Sequence, residues 1–190
     1  METIVETHKV SFCSQIFNQT DIAPKMFETI IAQSYQNWEL IVVDDGSSED
    51  LKSLVESYKD PRIIFHRFEE NKGVPFGTNW ALRKATGKYI VLAAADEIFH
   101  PDKLKVQVEF MEANPKVDCC WGLPGNGDDN FPMGPRPEWE QYYLRSFNRS
   151  KYAWLRTLVN LEAVPIGGCG LLMKKSVADE LGGLDESLRI

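Results

Sequence analysis

Leu40-Ile-Val-Val-Asp-Asp-Gly-Ser47 decides how the rest of the chain is read. Four apolar residues make a run of strand length, bounded by Asn37 before it and by two carboxylates, a glycine and a serine after it. A strand apolar on both faces belongs inside a parallel sheet, where helices cover both sides. The flanking sequence supplies those helices. Upstream, Met26, Phe27, Ile30 and Ile31 recur at helical spacing within 21–33, with Asp21 placed as a cap and Pro24 in the first turn. Val10-Ser-Phe-Cys13 before them reads as a short strand. Downstream, Leu51, Leu54, Val55 and Tyr58 mark a second helix, which Asp60-Pro61 breaks. Ile63-Ile-Phe65 is a third strand, 77–84 a third helix and Tyr89-Ile-Val-Leu92 a fourth strand. Pro101 opens a helix with Leu104, Val108 and Met111 on one face, and 117–121 forms a fifth strand.

Strands and helices thus alternate with short connections, the pattern of an open α/β fold with a mostly parallel, Rossmann-like sheet. Such sheets bind ligands in the crevice at the carboxyl ends of their strands, so chemistry is expected just after Cys13, Val43 and Leu92. Residues 1–8 read as a flexible tail and 9–190 as a single domain. The alternating pattern fills 9–121, and a second part of different character spans 122–190. Within the second part, 122–137 is rich in Gly, Pro, Asn and Asp and reads as a long loop. An aromatic segment follows with Trp139, Tyr142, Tyr143, Phe147, Tyr152 and Trp154. Leu171-Leu-Met173 is then a strand, and 176–181 a helix stopped by Gly182-Gly183.

Composition narrows the function classes. The formal net charge is -7 and no Lys/Arg-rich run exists, which argues against nucleic acid as a partner. Cys13, Cys119, Cys120 and Cys169 contain no Cys-x-x-Cys pair, so neither a metal knuckle nor a disulfide framework is expected. They read as small buried residues in a reducing compartment, implying a cytoplasmic location. The first nine residues are polar, and no apolar run is long enough to span a bilayer. Ser14-Gln-Ile-Phe-Asn18 lacks the glycines of a dinucleotide fingerprint, which argues against a nicotinamide dehydrogenase. His8, His66 and His100 are scattered and read as structural or exposed.

Two acidic turns remain on matching strand ends. Asp44-Asp45-Gly46-Ser47 can accept hydrogen bonds from a base or ribose, or serve only as a polar turn. Ala94-Ala95-Asp96-Glu97 can hold a divalent cation against a diphosphate, because Mg²⁺ takes one or two carboxylates and fills its shell with water and phosphate oxygens.

Four ordered segments resemble family 2 glycosyltransferases. They are Val10-Ser-Phe-Cys-Ser-Gln-Ile-Phe-Asn18; the stretch 30–47, which ends in Asp44-Asp45-Gly46-Ser47; the stretch 89–104 around Asp96; and Gly170-Leu-Leu-Met-Lys-Lys-Ser with Leu181-Gly-Gly-Leu-Asp-Glu186. The resemblance runs from about Lys9 to Glu186. It implies a GT-A fold whose nucleotide-binding half is 9–121 and whose acceptor-side part is 122–190. It also implies a metal-assisted, inverting transfer of a sugar from a nucleotide-diphosphate sugar, a UDP-sugar first among them, to an acceptor hydroxyl. By similarity, Phe17 stacks on the nucleobase, Gln15 offers backbone contacts nearby, Asp45 hydrogen-bonds the base and Asp44 lies near the ribose. Asp96 falls on the last Asp of the Asp-x-Asp motif and is the expected ligand of Mn²⁺ or Mg²⁺. Saccharide or lipid-linked acceptors follow from the family, and peripheral membrane association with them stays open.

The chain departs from the pattern at three places. Ala94 replaces the first Asp of the metal motif, Gln15 a common Pro, and Thr78 a common Arg. The family's base lies downstream of the Gly-Gly-x-Asp-Glu turn, so it is expected beyond Ile190 rather than at Asp185 or Glu186. These departures sustain an alternative from another class, a non-catalytic nucleotide- or sugar-binding module of a larger protein. A sugar nucleotidyltransferase is disfavoured, because 14–18 is no Gly- and Arg-rich phosphate loop.

Overall fold

A computed structural model describes residues 8–122 and 170–188. The elements run β1 (Val10–Ile16), α1 (Ala23–Ile31), β2 (Trp38–Asp44), α2 (Leu51–Ser57), β3 (Ile63–Arg67), α3 (Val74–Lys84), β4 (Tyr89–Leu92), α4 (Lys103–Ala113), β5 (Cys119–Trp121), β6 (Leu171–Lys174) and α5 (Lys175–Leu181). They form one six-stranded sheet of order β3-β2-β1-β4-β6-β5. The first four strands are mutually parallel, and β6 runs antiparallel between β4 and β5. The expected open, mostly parallel α/β sheet is therefore present, with the antiparallel strand inserted toward one edge.

The two faces are covered unequally. Val10, Phe12 and Ile16 of β1 pack with Leu40 and Val42 of β2 under Met26, Phe27 and Ile30 of α1, Leu51 of α2 and Leu104 of α4. Cys13, Ile41, Val43 and Ile90 face the other way, against Ala81 of α3 and Phe68. Alternate residues of one strand thus serve two cores, which is why the 40–43 run is apolar throughout. Helices α1 and α2 carry the chain outward to β3 on one face. Helix α3 returns it along the other face and sets β4 on the far side of β1. Neighbouring strands β1 and β4 are then left by connections heading in opposite directions, the switch point at which open sheets bind ligands.

Some boundaries differ from the sequence reading. Strand β1 continues three residues past Cys13, because its backbone stays in register with β2 as far as Ile16 opposite Asp44. Helix α3 starts at Val74 rather than 77, after Gly73 with φ of +90° and with a proline in the first turn. Asp21 does not cap α1: that position is Ile22, and no side chain bonds the helix start there. Residue 8, assigned to the tail, is tied down, since its carbonyl accepts the Tyr35 hydroxyl at 2.6 Å. Residues 1–7, the loop 122–137 beyond Gly122, the aromatic segment and Cys169 lie outside the described residues. Cys13, Cys119 and Cys120 are free thiols, and burial pushes Cys13 up to about 12. His66 stacks on Trp80 at 3.9 Å, the structural use expected of it.

Candidate active site

The carboxyl ends of β1, β2 and β4 bring the sequence-selected residues to one edge of the sheet. Asp44 is fully buried at the last position of β2. Its Oδ1 accepts the Ser47 backbone N–H at 2.8 Å, and its Oδ2 accepts Arg67 Nη1 at 2.7 Å. Arg67 is its register partner on β3 and also donates to the Ser47 carbonyl at 2.6 Å. Asp44 thus fixes the turn, with both oxygens engaged inside the protein.

Gly46 makes that turn possible. Its φ is +76°, and a Cβ there would lie 2.6 Å from the backbone of Glu70. The turn in turn holds the end of β1. Asn18 donates its N–H to Ser47 Oγ at 2.9 Å, and its Oδ1 accepts the Ser48 N–H at 2.8 Å. Asn18 has φ of +50°, a left-handed conformation that asparagine tolerates. Phe17, one residue earlier, is left 40% exposed, unusual for a phenylalanine and suited to a ring that takes a planar ligand.

Asp45 is also fully buried. Its Oδ1 accepts the Lys72 N–H at 2.8 Å, and its Oδ2 accepts the Gly73 N–H at 3.0 Å and Gln15 Nε2 at 3.0 Å. Gln15 therefore meets Asp45 through its side chain, where sequence reasoning offered only its backbone. Gly77 on α3 lets the glutamine lie there: a Cβ at 77 would stand 2.5 Å from Gln15 Cγ.

After β4 the burial alternates. Ala93 and Ala95 are buried, while Ala94 and Asp96 face solvent. No hydrogen bond or ion pair engages Asp96 among the described residues. The segment carrying it is anchored from α1: Gln33, fully buried, donates to the His100 carbonyl at 2.8 Å and accepts the Leu104 N–H at 3.1 Å. Phe99 donates its N–H to Thr29 Oγ1 at 3.2 Å. Among the described residues no group of three or more His, Cys, Asp or Glu side chains converges on a metal position. A lone, exposed, unpaired carboxylate still fits Mg²⁺ or Mn²⁺ when phosphate oxygens and water complete the shell. Thr78 is buried in α3 and brings no charge to this edge.

The sequence profile of glycosyl transferase family 2 matches residues 11–181. The chain belongs to glycosyl transferase family 2. Its fold is GT-A: it superposes on a mannosyltransferase from Pyrobaculum calidifontis, solved in complex with GDP-Man and Mn²⁺, with a TM-score of 0.71 and 21% identity over 96% of this chain and 50% of that one. A glycosyltransferase of Rickettsia felis is 31% identical over 58% of this chain and 18% of its own length. The UDP-Glc:alpha-D-GlcNAc-diphosphoundecaprenol beta-1,3-glucosyltransferase WfgD of Escherichia coli is 31% identical over 58% of this chain and 44% of its own length. The chain thus spans half or less of the length of these proteins.

Asp185 and Glu186, the carboxylates nearest to where the family resemblance led a base to be expected, follow the Gly182-Gly183 turn. Both are committed elsewhere. Asn79 of α3, nearly buried, holds the turn like a peptide group: its amide donates to the Leu184 carbonyl at 2.8 Å and accepts the Leu184 N–H at 2.8 Å. The same Nδ2 reaches Glu186 Oε1 at 2.9 Å, with Arg83 at 3.4 Å. The Asn79 hydrogen bond, reinforced by Arg83, holds Glu186 below the ordinary glutamate value. Ser187 does the same to Asp185 through its hydroxyl and N–H. A base working near neutral pH needs the opposite shift. Sequence reasoning missed Arg67, Asn79 and the Gln15 side chain. The first had a signal, because aligning the two apolar runs in parallel sets Asp44 opposite Arg67.

Proposed function

We propose that this domain binds a nucleotide-diphosphate sugar, a UDP-sugar first among them, and transfers the sugar with inversion to an acceptor hydroxyl. The observation that supports it most is the placing of an exposed ring, a buried carboxylate and an unpaired exposed carboxylate at the carboxyl ends of β1, β2 and β4, at the sheet's switch point. Phe17 would stack on the base. Asp45, with Gln15 beside it, would face the base edge. Asp44 acts from behind, holding the turn that shapes the ribose side. Asp96 would hold Mn²⁺ or Mg²⁺, which when bound neutralises charge on the departing diphosphate. The acceptor is proposed to be a saccharide or lipid-linked saccharide, in keeping with the name of the Escherichia coli relative. A cytoplasmic location, with membrane association through a lipid-linked acceptor, accompanies that reading. No helix among the described residues is long and apolar enough to cross a membrane.

Ala94 favours a second reading, a binding module without turnover, because it leaves the metal position with one protein ligand. Calorimetric titration with UDP and GDP, with and without Mn²⁺, tests the binding step. Tightening by Mn²⁺ that is lost in Asp96→Ala supports the assignment of the metal. Tightening that survives the substitution removes Asp96 from the site. Release of sugar from a UDP-sugar series in the presence of Mn²⁺ then separates the transferase from the binding module.

A further inference from the structure

We infer that the side-chain carbonyl of Gln15 reads the nucleobase, presenting a hydrogen-bond acceptor that selects bases with a ring N–H at the centre of their pairing edge. The inference rests on the nucleotide-binding reading above.

Asp45 is fully buried and its oxygens already take three donors: Lys72 N–H, Gly73 N–H and Gln15 Nε2. A carboxylate can only accept. The Gln15 amide must therefore turn its nitrogen toward Asp45, which turns Oε1 away from it. Among the described residues no donor takes that Oε1. Gln15 is only half-buried, so its carbonyl, and not the enclosed carboxylate, is the group a ligand meets first. The amide is also held in place. Gly77 leaves room for its stem, where a Cβ would stand 2.5 Å from Gln15 Cγ and 3.3 Å from its Cβ. Two residues along, Phe17 follows directly on the end of β1 and is 40% exposed. An exposed aromatic ring and a fixed acceptor thus stand two residues apart at the switch point.

A base stacked on Phe17 would bring its pairing edge toward Gln15 Oε1. Uracil offers N3–H there and guanine N1–H, so either would pair. Cytosine offers the N3 lone pair and adenine the N1 lone pair, so acceptor would face acceptor and two buried polar atoms would lose their partners. Asp45 acts here as a positioning residue: it decides which end of the amide faces the ligand.

The test is calorimetric titration of the chain with UDP, CDP, GDP and ADP in Mn²⁺, for the wild type, Gln15→Met and Gln15→Ala. Two substitutions of different bulk guard against one that misfolds, and near-ultraviolet circular dichroism checks both. The wild type is expected to prefer UDP to CDP by about tenfold or more, the scale expected for an unpaired buried acceptor. Both variants should lose most of that preference, through weaker UDP binding with CDP binding unchanged or tighter. Equal wild-type affinity for UDP and CDP, or a preference that survives both variants, overturns the role of Gln15 and leaves the nucleotide site standing. A wild type that binds no nucleotide overturns both.

Discussion

Replacing Arg67 by Met should destabilise the protein by about 2–3 kcal/mol, although no ligand-facing atom is touched. The exchange keeps most of the stem and removes only the guanidinium. Asp44, whose side chain is 0% exposed in the wild type, then keeps the Ser47 N–H but loses the 2.7 Å ion pair. Removing one partner of a buried pair costs about 3–5 kcal/mol, because the remaining charge has neither water nor counter-charge. The Arg67 side chain is 44% exposed, so water reaches the vacated space and places the cost near or below the bottom of that range, about 2–3 kcal/mol. For a chain of this size each kcal/mol shifts the melting temperature by roughly 2–4 °C, giving a fall of about 4–12 °C.

Urea unfolding measures the loss directly, provided the slope is unchanged between variants. Asp44→Asn added to Arg67→Met should recover about half of it, since a neutral amide needs no counter-charge. The double-mutant cycle isolates that coupling. Nucleotide affinity should fall in Arg67→Met too, because Ser47 and Ser48 position Asn18 and the end of β1. A change within about 0.5 kcal/mol of wild type, the range of ordinary surface substitutions, would refute the assignment of Asp44 as the buried anchor of the turn.

Two further outcomes follow from the site and its support. Phe17→Ala should weaken UDP binding by about 1–3 kcal/mol, the range for a base losing an aromatic platform, with melting temperature nearly unchanged because the ring is exposed; unaltered affinity in calorimetry would remove Phe17 from the site. Burial lowers Lys103 to about 8, an effect that Cys120 and Glu97 partly offset, so between pH 8 and its unfolded value of about 10.5 the unfolded chain binds more protons than the folded one and stability rises with pH. Lys103→Met should remove that rise and raise stability at pH 7 by about 1–3 kcal/mol, read from urea midpoints across the range; a parallel pH profile in the variant would show that Lys103 is not the group responsible.

The sequence made the sheet legible wherever a strand was buried on both faces. Tyr89–Leu92 matched residue for residue, Leu40–Val43 lacked Trp38, Glu39 and Asp44, and Val10–Cys13 lacked its more polar carboxyl end. Those ends escaped because Ser14, Gln15 and Asp44 are kept in the ladder by their neighbours, not by their own apolarity. The place of β6 between β4 and β5 had no local signal, since an antiparallel insertion is decided by which strand edges remain free. The site was legible as a set of positions, because carboxyl ends of parallel strands converge. Its wiring was not. Asn79 holds a turn 105 residues away, and Arg67 reaches Asp44 across a strand pair. Such partners become visible only when register is known. Gln15 shows the limit most clearly: its residue type departs from the family pattern, but its direction depends on Gly77 and Asp45.

On the proposed reading, Ala94 changes how metal and nucleotide depend on each other. One carboxylate makes a weak site for a free divalent ion, since Mg²⁺ sheds its water reluctantly and gains a single charged ligand in return. A bound diphosphate adds oxygens and negative charge within the same shell, so the ion then binds far more tightly. Linkage makes the effect reciprocal: the factor by which nucleotide raises metal affinity equals the factor by which metal raises nucleotide affinity. A second carboxylate at position 94 would raise affinity for the free ion and shrink that factor. Loss of the first Asp thus trades a standing metal site for one assembled with the donor. The same loss leaves one less negative charge beside the diphosphate, which matters at an edge where Thr78 supplies no positive one. Strong mutual dependence of Mn²⁺ and UDP is therefore what a working single-carboxylate site requires, and independent binding of the two is what a site that has lost its chemistry would give.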